Sequence, residues 1–247
     1  MLITGLSAME WKHTNVQPAL EPDQVHLWRI ELNKFRQSVP ELRLEMSNEE
    51  ISRAGRFVHY KDAENYIVGR SILRRLLGNY LGVDRTKIAI ENGEFGKPHV
   101  AKHMNAKQLK FNVSHSADFC LIAARWGSEI GVDLEKVRED VMVEGLASRY
   151  FAGDEIAELQ ALPVALRRLG FFLCWTRKEA YVKAKSLGLH IPLDQFAVTL
   201  TPGGPVRLRS NDSNEWSMES LEPAPQYVGA LVTARTPVAV SYCHYEA

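Results

Sequence analysis

The sequence predicts an α+β protein of two pseudo-symmetric halves, each a small antiparallel sheet packed with a long helix, with the active site at the seam. Three observations lead to this reading. Each half carries one long stretch of helical periodicity, and short alternating segments flank both stretches. The order of elements repeats. Two local echoes accompany the repeat: Arg56-Phe57 with Arg149-Tyr150-Phe151, and Phe119 to Arg125 with Tyr227 to Arg235. The halves are drawn as residues 1–127 and 128–247, meeting near Trp126 to Glu129.

Residues 1 to about 24 read as irregular, with Pro18 and Pro22. Val25 to Ile30 alternates as a strand does. Ser47-Asn-Glu-Glu50 is a capping box opening a helix to about Phe57. A long helix runs from Asp62 to about Tyr80, where Gly82 stops it. Ile88 to Ile90 and Leu109 to Val113 are strands, and Phe119–Trp126 with Ile130–Leu134 form a hairpin pair. In the second half Arg149 to Phe151 introduces a helix from Gly153 to Gln160. A second long helix follows from about Ala165 to Lys185, ended by Gly188. Phe196–Leu200 with Val206–Arg209, and Val228–Ala234 with Val238–Cys243, read as two hairpins.

The chain has 247 residues, 45% hydrophobic, enough for one large core or two smaller ones. Its net charge of zero argues against broad capture of nucleic acid. No apolar run reaches the ~20 residues of a membrane span. The start, Met1-Leu-Ile-Thr-Gly, lacks the charged region of a secretory signal. The three cysteines, Cys120, Cys174 and Cys243, show no metal spacing. A cytoplasmic protein is expected.

Chemistry concentrates in four segments. In Ile130-Gly-Val-Asp133-Leu-Glu135, two acids alternate with Val132 and Leu134, so both carboxylates share one strand face. Like charges so placed repel unless a cation sits between them. Hard oxygen ligands, few in number, suit Mg²⁺ with a phosphorylated substrate. Glu179 and Lys183 are i and i+4 on the second long helix and project from one face, beside Trp175. Gly96-Lys97-Pro98 allows close backbone approach and offers a point charge for a phosphate, although alone it is an ordinary turn. Phe111-Asn-Val-Ser114-His115-Ser116 is a strand ending in hydroxyl and imidazole donors. An adjacent Ser and His on a strand face opposite ways, so they do not form a nucleophile–base pair.

Taken in order, Gly-Lys-Pro, Phe-Asn-Val-Ser-His-Ser, Gly-Val-Asp-Leu-Glu and Trp-Thr-Arg-Lys-Glu-Ala-Tyr-Val-Lys resemble the 4′-phosphopantetheinyl transferases of the larger, surfactin-synthetase-activating type. The motifs span Gly96 to Lys183, and the element order fits from about Val25 onward. The resemblance implies coenzyme A in a cleft between the halves. It implies Mg²⁺, with Mn²⁺ able to stand in, held by Asp133, Glu135 and Glu179 together with the pyrophosphate. It implies transfer of phosphopantetheine to a serine of an apo acyl or peptidyl carrier protein of fatty acid, polyketide or nonribosomal peptide biosynthesis, with release of adenosine 3′,5′-bisphosphate. A monomer is expected.

By the same match Ser114 and His115 contact the 3′-phosphate side, Lys97 and Pro98 the nucleotide, and Lys183 the phosphate under attack. Glu179 is the expected base and Glu155 a candidate to position its water. Arg149, Arg167, Arg168 and Lys178 are candidates for the carrier rim. The pattern is broken at the first short helix. Where related enzymes carry two basic residues, this chain has Glu50 and Arg53, so Arg53 alone carries over, with Arg56 or Arg70 to compensate. Ser186 stands where glycine is common. Two other classes share these residues: a coenzyme A or nucleotide sensor without catalysis, and an unrelated Mg²⁺ phosphohydrolase.

Overall fold

The computed structural model describes residues 9–14, 16–186, 191–234 and 238–246. Strand β2 (Gln24–Glu31) shows how the layers arise, because its two faces enter different cores. Val25 and Leu27 join one apolar cluster, and Trp28 and Ile30 join another. β6 (Phe119–Trp126) divides the same way, with Leu121 and Ala123 against Ile122 and Ala124. A strand buried on both faces must lie between two layers.

Five strands form the first sheet, in the order β1-β12-β2-β6-β5. Here β1 is Lys12–Thr14, β5 is Leu109–Ser116 and β12 is Ala239–Tyr245. The outer core of this sheet is shared with the 22-residue helix α3 (Tyr60–Leu81), through Ile67, Ile72 and Leu76. Gly82 ends α3 in the left-handed region at φ 66°, as its position in the sequence predicts. Ser47 caps α2 (Asn48–Ala54) with both bonds of the capping box in place. Short α1 (Val39–Arg43) precedes it, and β3 (Ile90–Asn92) pairs with β4 (Pro98–Val100) as a separate hairpin.

The second sheet has three strands, β10-β11-β7. These are β7 (Ile130–Lys136), β10 (Trp216–Leu221) and β11 (Tyr227–Ala234). Ile130, Val132 and Leu134 of β7 face the first sheet, and their cluster includes Val25, Leu27 and Leu121. The other side shares a core with α6 (Val164–Lys185), through Val228, Ala230 and Val232 of β11. Helices α4 (Val143–Tyr150) and α5 (Gly153–Ala161) precede α6, and β8 (Ala197–Val198) pairs with β9 (Leu208–Arg209). The layers therefore run helix, sheet, sheet, helix.

Two expected hairpins are not formed. β6 pairs with β2 and β5, whereas β7 pairs with β11, so adjacent segments enter different sheets. Likewise β11 and β12 part company: β12 runs parallel to β2 and β1 in the first sheet. A cut between residues 127 and 128 thus separates the two sheets except for β12. Gly188, the expected stop of the long helix, lies outside the described residues, as does Arg235. The helix itself ends at Lys185, with Ser186 in the left-handed conformation at φ 57°. Among the described residues no helix is long and apolar enough to cross a membrane.

Candidate active site

Gly131 decides how α6 meets β7. A Cβ there would lie 2.1 Å from the Ala180 carbonyl oxygen and 2.4 Å from the Ala184 nitrogen. Only glycine lets the helix lie this close. Residues 131, 133 and 135 share a strand face, so the helix covers the face that carries Asp133 and Glu135. Lys183 then reaches Asp133 Oδ1 at 2.6 Å. Glu179, one turn earlier, lies near enough to feel the charges of Asp133, Glu135 and Lys183.

The far edge of β7 is held by side chains instead of a backbone ladder. Asn112 Oδ1, Ser114 Oγ and Ser116 Oγ accept from the amides of Val132, Leu134 and Lys136. The two serines also donate, Ser114 to Asp133 Oδ1 and Ser116 to Glu135 Oε2, each at 2.8 Å. Ser114 Oγ accepts from Lys183 Nζ as well, at 3.2 Å, which saturates the hydroxyl. Asn112 was not singled out from the sequence. Its signal is the spacing 112, 114, 116 of small polar residues along one strand face.

Burial raises the Glu179 carboxyl above its ordinary range, and Asp133 and Glu135 add to it. Burial raises Glu135 too, with Asp133 adding to it, although the Ser116 hydroxyl pulls the other way. Three carboxylates therefore face one ammonium, and Asp133 Oδ2 is a buried oxygen with no hydrogen-bond partner. Such a donor set fits a hard divalent cation. Among the described residues no three His, Cys, Asp or Glu side chains form a ready-made metal cage. Mg²⁺ does not require one, since it binds through one or two carboxylates and the phosphates of its substrate.

A cavity of about 1000 Å³ opens beside this cluster. Ser114 lies in its wall and in the carboxylate cluster, joining the two. Arg53, Pro98 and His115 also line it, as do Arg56 and Arg70. Lys97 does not. Its ammonium is drawn across the seam to Glu129 Oε2 (2.9 Å), the Ile130 carbonyl (3.0 Å) and Ser186 Oγ (2.9 Å). Burial lowers the Lys97 ammonium, with Glu129 opposing the shift. Burial would raise Glu129, but Lys97 and Lys110 outweigh it and hold its carboxyl down at about 2. Ser186 also donates to Glu129 Oε2, which gives a serine a use at a helix end that glycine would occupy without strain.

Glu155 and Lys178 are not at the site. Glu155 is 1% exposed and accepts from the Ala152 and Val198 amides. Lys178, fully buried, bonds Glu155 at 2.8 Å and the carbonyls of Leu193 and Phe196. The sequence reading puts Glu155 beside the catalytic water and Lys178 on the carrier rim, because nothing local shows that α5, α6 and the β8 segment close around them. Arg167 and Arg168 are spent on backbone carbonyls, including Leu162 and Val141. Arg149 is exposed, its guanidinium 5.2 Å from the ring centre of Tyr150.

Fold and site together define a two-sheet α+β protein with an arginine-lined cavity ending at a carboxylate–lysine cluster. Residues 27–127 match the family described as 4′-phosphopantetheinyl transferase, N-terminal, and residues 129–234 match the 4′-phosphopantetheinyl transferase superfamily. The 4′-phosphopantetheinyl transferase HetI of Nostoc sp. is 35% identical over 223 residues, covering 90% of this chain and 93% of that protein. The 4′-phosphopantetheinyl transferase Sfp of Bacillus subtilis is 29% identical over 204 residues, 81% of this chain and 88% of that one. A solved holo-(acyl-carrier-protein) synthase from Bacillus anthracis, in complex with CoA (3′,5′-ADP), covers 44% of this chain and 97% of its own length at 19% identity and TM-score 0.37. The chain belongs to the 4′-phosphopantetheinyl transferases, a family of enzymes.

Proposed function

We propose that this enzyme transfers the 4′-phosphopantetheine group of coenzyme A to a serine of an apo acyl or peptidyl carrier protein, with Mg²⁺, releasing adenosine 3′,5′-bisphosphate. The observation that carries the proposal is the junction at Ser114. It joins a nucleotide-sized cavity lined by arginines to a cluster of acids with one unpartnered carboxylate oxygen. Asp133, Glu135 and Glu179 would hold Mg²⁺, which when bound supplies charge neutralisation on the diphosphate.

The chain's own groups do the rest. Lys183, fixed by Asp133 and Ser114, stabilises charge that builds on the β-phosphate oxygens. Glu179, on the same helix face, takes the proton from the carrier serine, directly or through a water. The carrier presents its serine near an acidic helix, so an exposed basic group such as Arg149 belongs to its docking rim. We read the fold as two pseudo-symmetric halves, 1–127 and 128–247, with the active site at their seam, in a cytoplasmic monomer.

The test is to mix the protein with coenzyme A, Mg²⁺ and an apo carrier and to weigh the carrier. A gain of one phosphopantetheine is expected. No gain with several carriers favours a nucleotide sensor, and phosphate release without carrier favours a hydrolase. Glu179→Gln should abolish transfer while coenzyme A still binds. Asp133→Ala should sharply raise the Mg²⁺ requirement, and an unchanged requirement removes Asp133 from the ligand set.

A further inference from the structure

Glu50 faces the cavity from α2 with an acid where the family resemblance leads one to expect a base. Its carboxylate is almost fully buried and is shared by two arginines of α3. Arg70 Nε donates to Oε1 at 2.5 Å, and Arg74 Nη1 reaches both oxygens at 3.2 Å. Arg74 is a structural group. Its side chain is 2% exposed, and its Nη2 donates to the Thr86 and Ile88 carbonyls, each at 2.9 Å.

Arg70 differs. It lines the cavity, and only its Nε edge is engaged by a described residue. Its two terminal amino groups remain for a ligand. The local balance is two guanidinium charges against one carboxylate in a nearly dry wall, an arrangement stable when an anion completes it.

The neighbouring cations converge on the same place. Tyr66 also lines the cavity, and its phenol is pushed up by burial while Arg70, Arg53 and Arg56 all draw it down. The Arg53 guanidinium lies 5.3 Å from the centre of that ring. The other end of the cavity, at Ser114, carries acids and one lysine, a place for a metal-bound diphosphate. At the arginine end Arg53, Arg56 and Arg70 line the wall beside Glu49 and Glu50, and three guanidinium groups in one wall suit a separate phosphomonoester taken directly by them.

We propose that Arg70 supplies the cation for the ribose 3′-phosphate of the donor nucleotide, and that Glu50 is the positioning residue that holds its Nε edge and turns its amino groups into the cavity. This rests on the coenzyme A reading and assigns the group that replaces the missing base of α2. An acid on α2 and a base on α3 together perform what a base on α2 performs in the related pattern.

The experiment is a calorimetric titration of the whole enzyme with adenosine 3′,5′-bisphosphate and with 5′-AMP, read as the ratio of affinities. The wild type should favour the bisphosphate at least ~10-fold, the size of one charge-assisted contact. Arg70→Gln should cut that ratio about 10-fold, and Arg70→Lys should cut it less. Glu50→Gln should cut it several-fold, because Arg70 loses its anchor. A ratio within twofold of wild type in both Arg70 variants overturns the assignment of Arg70. A lowered melting temperature in Glu50→Gln with an unchanged ratio shows a purely structural acid and overturns the positioning role. Transfer from coenzyme A by the wild type separates these failures from failure of the transferase reading, since absence of transfer removes both.

Discussion

Gly131→Ala is the sharpest test of how the site is assembled. The new Cβ would stand 2.1 Å from the Ala180 oxygen, 2.4 Å from the Ala184 nitrogen and 3.0 Å from the Ala184 Cα. Relaxed carbon–oxygen contacts lie near 3.3–3.6 Å, so helix and strand must part by ~1 Å or more. All three clashing atoms are backbone, and no rotamer relieves them. The Lys183–Asp133 contact of 2.6 Å spans the same gap and would stretch beyond hydrogen-bonding distance. Overpacking of this kind costs ~1–3 kcal/mol, which for a chain of this size lowers the melting temperature by roughly 2–12 °C. Transfer should fall ~10²-fold, the usual effect of a 1 Å misplacement of catalytic groups. The assay pairs thermal unfolding with the rate of carrier mass gain. Gly145→Ala, in α4 and with a Cβ that meets nothing within 4 Å, is the control: it should leave transfer unchanged and hold or slightly raise the melting temperature. A Gly131→Ala enzyme with transfer within twofold of wild type would refute the reasoning.

Three further predictions follow from the same geometry. Glu155→Ala should destabilise the protein by ~3–5 kcal/mol in urea, because Lys178 is left as an uncompensated buried cation. A stable variant with lost transfer would return Glu155 to the active site. Lys97→Met should cost ~1–3 kcal/mol of stability by opening the bonds to Glu129, Ile130 and Ser186. A KM for coenzyme A raised ~10-fold without that loss would instead make Lys97 a nucleotide contact. Glu129 gives a pH signature. Its carboxyl is held at about 2 in the folded state, with burial opposed and outweighed by Lys97 and Lys110. The unfolded value is ~4.3, so the stabilisation is present above that pH and is lost as the pH falls towards 2. Glu129 is about a third exposed, which limits the contribution to ~1 kcal/mol. Urea midpoints from pH 6 to pH 3 should fall further for wild type than for Glu129→Gln, and parallel curves would contradict this.

Local signals told the truth about local structure. The capping box at Ser47, the αL stop at Gly82 and the extents of α3 and α6 were all legible, because each depends on neighbours within a few residues. The acids of β7 were legible for the same reason. Partner choice was not. β6 and β7 look like a hairpin since only a short polar link separates them, yet each has two apolar faces or a helix-covered face to satisfy, and separate sheets satisfy both. β12 returns to the first sheet because an edge of β2 is available there, which no periodicity in Ala239–Tyr245 reveals. Lys178 and Glu155 were missed because burial of an ion pair is a property of three converging elements, not of either residue. Of Arg53, Lys97, Pro98, Ser114 and His115, the residues expected on the nucleotide, Lys97 is the one drawn away from the cavity wall, by partners 32 and 89 positions further along the chain.

The join between β5 and β7 explains how two like charges can stand side by side on one face of β7. A direct backbone ladder would merge the two sheets and leave the side chains of 133 and 135 to solvent or to each other. Here Asn112, Ser114 and Ser116 stand in for the missing carbonyls, so every second amide of β7 is satisfied by a side chain. A hydroxyl that accepts from an amide still has a proton to give. Ser114 and Ser116 give it to Asp133 and Glu135, the residues just before the amides they serve. One oxygen of Asp133 is thereby committed to Ser114 and Lys183, and its other oxygen is left buried and unpaired. The same spacing of polar residues that joins β5 to β7 therefore selects which carboxylate oxygen of Asp133 is left without a partner. Ser114→Ala should strand the Leu134 amide and loosen Asp133 and Lys183 together. Stability and transfer should then fall in the same variant, whereas Ser116→Ala should strand the Lys136 amide and loosen Glu135 while leaving the Asp133–Lys183 pair in place.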